Sequence, residues 1–365
     1  AYAPVDGPVR QLHLMQAAAR KVPGEALQVE LQTTVNSVPV ELSVHGEPPG
    51  DAQPETPWKI SLSGTAGDIS LRAEGKLADP RNWRQGDYRL AIEGRHLNKL
   101  ATLFGHSLTG SAPYELGATI RFDLDEYLTV SDFSAQVGDS DVTGNLHWDM
   151  RTSLPAITLR LASQQLDRGD FGFDGTATDT GDEQLSDVLE KPFDIRAITA
   201  TNLDAEIRIQ RLEGFANSMQ DLALSVHAGR QQLKLAGAGA LLNDVLIGTD
   251  ARLPWGEKLT ALAPEQAKLH VLLQHADLDM HARFPKAGLQ YSTGTPGRPL
   301  QLTIASLEAS ARPDSAVEVT AIASLNGQAL TAQLFAEPLG TLLQQPTGPW
   351  EALQLEAKGA DIHVK

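Results

Sequence analysis

Apolar and polar residues alternate at every second position through most of this chain, and that pattern leaves few folds open. A period of two places successive side chains on opposite faces of an extended strand. It is plain at Leu27/Val29/Leu31, Val38/Val40/Leu42/Val44, Trp58/Ile60/Leu62, Ile69/Leu71/Ala73 and Tyr88/Leu90/Ile92. The longest run is Tyr114/Leu116/Ala118/Ile120/Phe122/Leu124, with Glu115, Arg121 and Asp123 in the opposite register. Further strands read at Val142/Leu146/Trp148, Ile157/Leu159/Leu161, Ile207/Ile209, Leu222/Leu224/Val226, Leu233/Leu235 and Val245/Ile247. Towards the end come Leu269/Val271/Leu273, Leu302/Ile304, Val317/Val319/Ala321, Leu330/Ala332/Leu334 and Leu353/Leu355. About eighteen short strands joined by Gly, Asp, Asn and Pro turns describe a mainly β protein.

Helical patterns are few and short. Leu97, Leu100, Leu103 and Phe104 fit one helical face near 97–104, stopped by Gly105. A second helix is expected near 11–22, with Leu12, Met15 and Ala19 on one side, and a single turn from Leu339 to Gln345. So few helices exclude a doubly wound α/β fold, which needs a crossover helix between parallel strands. Short connections suit an antiparallel meander instead. The acidic stretch 167–190, rich in Gly, Thr and Asp, reads as a flexible surface loop between 1–166 and 191–365. Pro285 to Pro299 reads as a second loop, and Asp132/Phe133 as a place where a bulge shifts the register.

An alternating sheet has one apolar face, and that face must be covered. A sandwich folds the sheet on itself and a barrel closes it. A third solution is a long curved sheet whose apolar face lines a trough filled by lipid chains. Eighteen strands in one meander would extend roughly 85 Å. Composition narrows the partners but not this choice. Of 365 residues 41% are apolar but only 5% aromatic, which suits a thin aliphatic layer better than a thick core. A formal charge of −16 argues against nucleic acid and against lying flat on an anionic membrane.

The chain has no cysteine, so disulfides and thiolate zinc sites are excluded. No apolar run reaches the roughly 18 residues of a membrane-spanning helix. The opening Ala-Tyr-Ala-Pro has no basic and apolar leader, and Asp361 to Lys365 reads as a strand in mid-course. An excised fragment is the expectation.

Chemistry-bearing motifs are sparse. His275, Asp277, Asp279 and His281 share one face of an extended segment, but alternate side chains sit roughly 7 Å apart there, too spread for one ion. Asp170-Phe171-Gly172 matches a kinase tripeptide without any companion motif. The stretch Asp174 to Asp182 lacks the order of a calcium loop. Ser140, between two aspartates, reads as a turn hydroxyl. Trp58, Tyr88, Phe122 and Trp148 fall on the apolar parity, while Trp83 and Trp255 sit near turns, where an exposed rim is expected. No acid, base and nucleophile converge, so no enzyme, metal or cofactor is expected.

One stretch resembles a known family. It runs Tyr114-Glu-Leu-Gly-Ala-Thr-Ile, then Leu128 through Gly138-Asp-Ser140-Asp-Val142-Thr-Gly144-Asn-Leu146 to Asp149, then Pro155 to Ser163 and Leu166-Asp167. A strand ending in Gly-x-Ser, an apolar residue, x-Gly, an alternating strand, a Pro-led strand and a Leu-Asp turn make the pattern of the AsmA-like proteins of Gram-negative bacteria. Leu203 to Gly214 and Met219 to Val226 are similar, and Gly229 to Leu235 approximates a further element with two Gln inserted. The likeness covers roughly 114 to 250.

The resemblance implies a taco-shaped, strongly curved and twisted antiparallel β-groove with an apolar interior. It implies a periplasmic protein, held to the inner membrane by an N-terminal helix absent from this chain, that conducts phospholipid or other acyl lipids towards the outer membrane. The expected lining is Val40, Leu42, Ile60, Leu62, Ile69, Leu71, Leu90, Ile92, Leu116, Ala118, Ile120, Phe122, Val142, Leu146, Trp148, Ile157, Leu159, Leu161, Ile207, Leu224 and Val226. Membranes, reached through missing flanks, and periplasmic or outer-membrane proteins are the further partners expected. A non-catalytic scaffold that binds proteins is the alternative.

Overall fold

The computed structural model describes residues 12–20, 27–36, 38–46, 57–78, 84–104, 108–172, 199–214, 218–241, 245–255, 259, 268–285, 288–295, 298–313, 315–344, 354–359 and 362–364. It divides into two compact units, Ala1–Asp174 with Leu212–Phe215, and Gly175–Arg211 with Ala216–Lys365. The fold is mainly β, and in each unit the strands form an open, curled sheet.

Unit 1 is a meander of β1 (Leu12–Arg20), β2 (Leu27–Val35), β3 (Val38–Gly46), β4 (Trp58–Ala66), β5 (Ile69–Leu77), β6 (Gln85–Gly94), β7 (Tyr114–Asp123), β8 (Tyr127–Val137), β9 (Ser140–Asp149) and β10 (Ala156–Ser163). Each strand pairs antiparallel with the next. Among the described residues β1 pairs with β2 and β10 with β9, and the sheet is open. Among the described residues its α-helix, α1 (Leu97–Leu103), falls where the apolar spacing predicts it.

The sheet is not antiparallel throughout. The two-residue β11 (Leu166–Asp167) pairs in parallel with Leu212 and Glu213, the end of β12 (Asn202–Glu213). A parallel neighbour needs a long return of the chain, and residues 168–201 supply its length.

The segment expected as a helix near 11–22 is instead β1. Ala, Leu and Met favour helix on propensity, but that preference is worth only tenths of a kcal/mol per residue. Pairing with β2 overrides it, as in Ala17↔Leu31 and Ala19↔Val29.

The acidic stretch expected as a loop from 167 begins differently. Asp167 ends β11, and Arg168–Phe171 form a 3-10 turn. Asp170 anchors that turn: its Oδ2 accepts from Asp139 N at 3.0 Å, Ser140 N at 2.9 Å and Ser140 Oγ at 2.6 Å. Ser140, 1% exposed, accepts in turn from Asp167 N at 2.8 Å. The kinase-like tripeptide is therefore part of a structural lock, and Ser140 is more than a turn hydroxyl. Residues 173–190 lie outside the described ones.

Unit 2 continues from β12 with β13 (Met219–Ala228), β14 (Gln232–Leu241), β15 (Val245–Pro254), β16 (Asp277–Arg283), β17 (Leu289–Thr295), β18 (Arg298–Ala311), β19 (Ala316–Leu325), β20 (Gln328–Pro338), β21 (Gln354–Gly359) and β22 (Ile362–Val364). Leu269–Leu273, read from its alternation as a strand, is the short helix α2, and Leu339–Gln344 is α3. Five consecutive residues with four apolar ones do not separate the two periods. The expected loop from Pro285 to Pro299 contains β17, which finds its partner in the first half of the 14-residue β18.

Two bulges have the same form. The register slips between Val130 and Phe133 against β9, and between Gln220 and Ala223 against β14. Asp132 and Asp221 each take φ 50° there. An aspartate tolerates that left-handed backbone better than most residues. Each slip inverts the parity of the strand, which keeps apolar residues on one face on both sides of it.

Candidate functional site

Cross-strand register decides which side chains share a face, because directly opposed residues point the same way. In unit 1 one row runs Gly46–Ile60–Gly75–Tyr88–Ile120–Val130–Leu146–Leu159, from β3 to β10. A parallel row runs Leu42–Gly64–Leu71–Ile92–Leu116–Ala135–Val142. Val44–Leu62–Ala73–Leu90–Ala118 makes a third, resumed past the Asp132 bulge as Phe133–Gly144–Leu161. Val40–Ala66–Ile69 and Gly86–Phe122–Leu128–Trp148–Ile157 flank them.

All eighteen expected lining residues of unit 1 thus fall on one face. The other face carries rows such as His45–Ser61–Glu74–Arg89–Thr119. The face also includes Val130, Ala135 and Leu128, absent from the expected lining because the bulge interrupts the alternation there.

In unit 2, Leu224 pairs with Gly237 and Val226 with Leu235, in rows that continue to Thr249 and Ala251 of β15. Ile207 lies on β12 and is half-buried.

Glycines on the apolar face give the rings room to lie down. A Cβ at Gly75 would sit 2.7 Å from Tyr88 Cδ1, and one at Gly94 2.5 Å from Tyr114 Oη. Tyr88 and Phe122 stack with ring centroids 6.1 Å apart. Small residues beneath flattened aromatics let a sheet curl towards that face. Gly75→Val is expected to destabilise unit 1 by about 2 kcal/mol, read as a lower urea midpoint.

Cover over this face is uneven. Leu97 and Leu100 of α1 pack on Val40, Ala66, Ile69, Tyr114 and Val137, closing one end of the strands. At the other end Leu77 is fully buried, yet Trp148 is 37% and Leu124 56% exposed. The depressions lined by Arg72, Glu93, Glu115 and Gln136 (about 330 Å³) and by Lys59, Glu74, Asp87 and Arg89 (about 590 Å³) are on the polar face.

One set of charged contacts lies at the end covered by α1. Asp68 Oδ2 lies 2.6 Å from His96 Nδ1 and its Oδ1 3.2 Å from Lys99 Nζ. The hydrogen bond from His96, then that from Lys99, hold the Asp68 carboxyl below its ordinary value against the opposing effect of burial. Tyr114, 2% exposed, is pushed up to about 12 by burial and by the nearby Asp68 charge. A carboxyl whose folded pKa is depressed adds stability above its unfolded pKa and loses it as pH falls through the folded one. Asp68→Asn is therefore expected to flatten the loss of stability of unit 1 below about pH 4, followed by denaturant melts between neutral and acid pH.

The remaining candidates do not assemble. Asp279 is taken by Arg312 at 2.8 Å, and no three metal-ligating side chains come together among the described residues. Trp255, expected at an exposed rim, is half-buried against Leu253, Leu259 and Leu272, and its Nε1 donates to Gly229 O at 2.7 Å. Trp83 lies outside the described residues. No described helix is long and apolar enough to cross a membrane.

Over 121 residues the chain is 28% identical to the AsmA family protein YhjG of Escherichia coli (strain K12). The match covers 32% of this chain and 18% of that protein, so the chain spans a minor part of the relative's length. No family model matches the chain, and no solved structure matches it.

Proposed function

We propose that this chain is part of an AsmA-like lipid conduit, in which phospholipid acyl chains lie on the apolar face of the curled sheet and headgroups stay in water. The partial likeness to an AsmA family protein supports the reading. The observation that carries it is the set of apolar rows between β3 and β10, one of them continuous across all eight strands, backed by a polar face. Each buried CH₂ contributes about 0.8 kcal/mol, so such a face holds a chain firmly. Successive rows are chemically alike, so a chain moves between them without a large change in energy. The work is non-catalytic, and its setting is the periplasm between inner and outer membrane, with anchoring supplied by other parts of the protein.

A second reading has its own observation. The edge strand β1 exposes Leu14 (60%) and Met15 (71%) and carries neither Pro nor Lys to discourage pairing. That edge suits a protein partner in a scaffold. Native mass spectrometry with organic extraction separates the two. Co-purifying phospholipid is the result expected of a conduit, whereas a lipid-free chain that captures a β-strand peptide supports the scaffold.

A further inference from the structure

We propose that the lip of unit 1 away from α1 selects lipids whose headgroup carries an ammonium beside its phosphate, and discriminates against purely anionic headgroups. The inference rests on the lipid-groove reading and names the lipid class for that same face.

The lip is one hydrogen-bonded strip. Leu124 N donates to Arg84 O at 2.8 Å, Glu126 N to Asp123 O at 2.9 Å, and Met150 N to Glu126 O at 2.7 Å. It borders the apolar face where Leu124 and Trp148 are exposed, at the end of the strands that α1 does not cover. A headgroup whose acyl chains lie along Phe122 and Trp148 would emerge here.

Among the described residues of the strip, charge is arranged in pairs with a surplus of carboxylates. Arg84 is bonded to Asp125, and Arg151 forks onto Asp149 through Nε at 3.0 Å and a terminal nitrogen at 2.7 Å. Both guanidiniums are thus engaged by carboxylates. Among the described residues Asp123 accepts from the neutral Gln85 amide, at 2.5 Å, and from its own turn, while Glu126 acts on Arg151 through its charge without a close ion pair. A lone phosphate would have to compete for an occupied arginine in a negative field. A phosphoethanolamine headgroup brings its own cation for Asp123 or Glu126 while its phosphate shares an arginine fork.

The test uses vesicles in which phosphatidylethanolamine and phosphatidylglycerol, with identical acyl chains, are mixed in equal amounts. The chain is re-isolated and its bound lipid quantified. We expect about five-fold enrichment of phosphatidylethanolamine, the size that two solvent-exposed charge pairs support, falling towards parity at 1 M salt. Asp123→Asn with Glu126→Gln should bring the ratio near one, and Asp123→Lys with Glu126→Lys should invert it. Equal uptake by the unaltered chain, or a ratio unmoved by both double variants, overturns the selectivity alone. Uptake of neither lipid overturns the groove reading together with it.

Discussion

Ile120→Asp is expected to lower phospholipid loading at least ten-fold while the protein stays folded. Ile120 lies mid-row between Tyr88 and Val130, within the widest apolar stretch of unit 1. It is half-buried, so the new carboxylate keeps water in the empty protein. An acyl chain crossing that row must strip the water from an unpaired charge, which costs several kcal/mol. Leu159→Asp, in the same row on β10, should act alike. Thr119→Asp is the matched control, since Thr119 pairs with Arg89 and Ser131 on the polar face. Loading is measured by lipid extraction, and folding by circular dichroism.

The second large effect falls on stability. Asp170→Ala is expected to destabilise unit 1 by about 3 kcal/mol, read from the urea midpoint. One carboxylate oxygen there satisfies Asp139 N, Ser140 N and the buried Ser140 hydroxyl. Removing it leaves donors unpaired at the β8–β9 turn, where Gly138 adopts φ 56° and its N–H donates to Pro113 O. The same lock sets the course of the chain into β11 and its parallel pairing. Asp170→Asn, which keeps an acceptor, should lose less than half as much.

What was legible in the sequence follows from where period-two alternation is the dominant signal. It marks most strands and, by parity, one shared face for the eighteen positions of unit 1 expected to line a groove, because a one-residue slip would turn every side chain to the other face. It faltered where another signal competed. Leu12 to Arg20 is written in good helix formers, and only pairing with β2 reveals the strand. Leu269 to Leu273 is apolar at nearly every position, so either period fits.

The site was partly legible for the same reason. Val130 and Ala135 straddle the Asp132 bulge and lose their common parity in the sequence, though they share the face in space. The glycines beneath Tyr88 and Tyr114 have no side chain to alternate, so their part in curling the sheet appears only with the neighbouring strand in place. The Asp170–Ser140 lock joins residues 30 apart in sequence through a single carboxylate, and no local pattern announces it.

The central claim is that lipid lies on the apolar face, and photo-crosslinking tests it directly. A phosphatidylethanolamine with a diazirine near the end of its acyl chain would be loaded, irradiated, and its attachment sites mapped by peptide mass spectrometry. Label concentrated at Ile120, Val130, Leu146 and Leu159, with little at Thr119 or His147, is the predicted result. Label spread equally over both faces of β7 to β10, or confined to the edge strand β1, would contradict it.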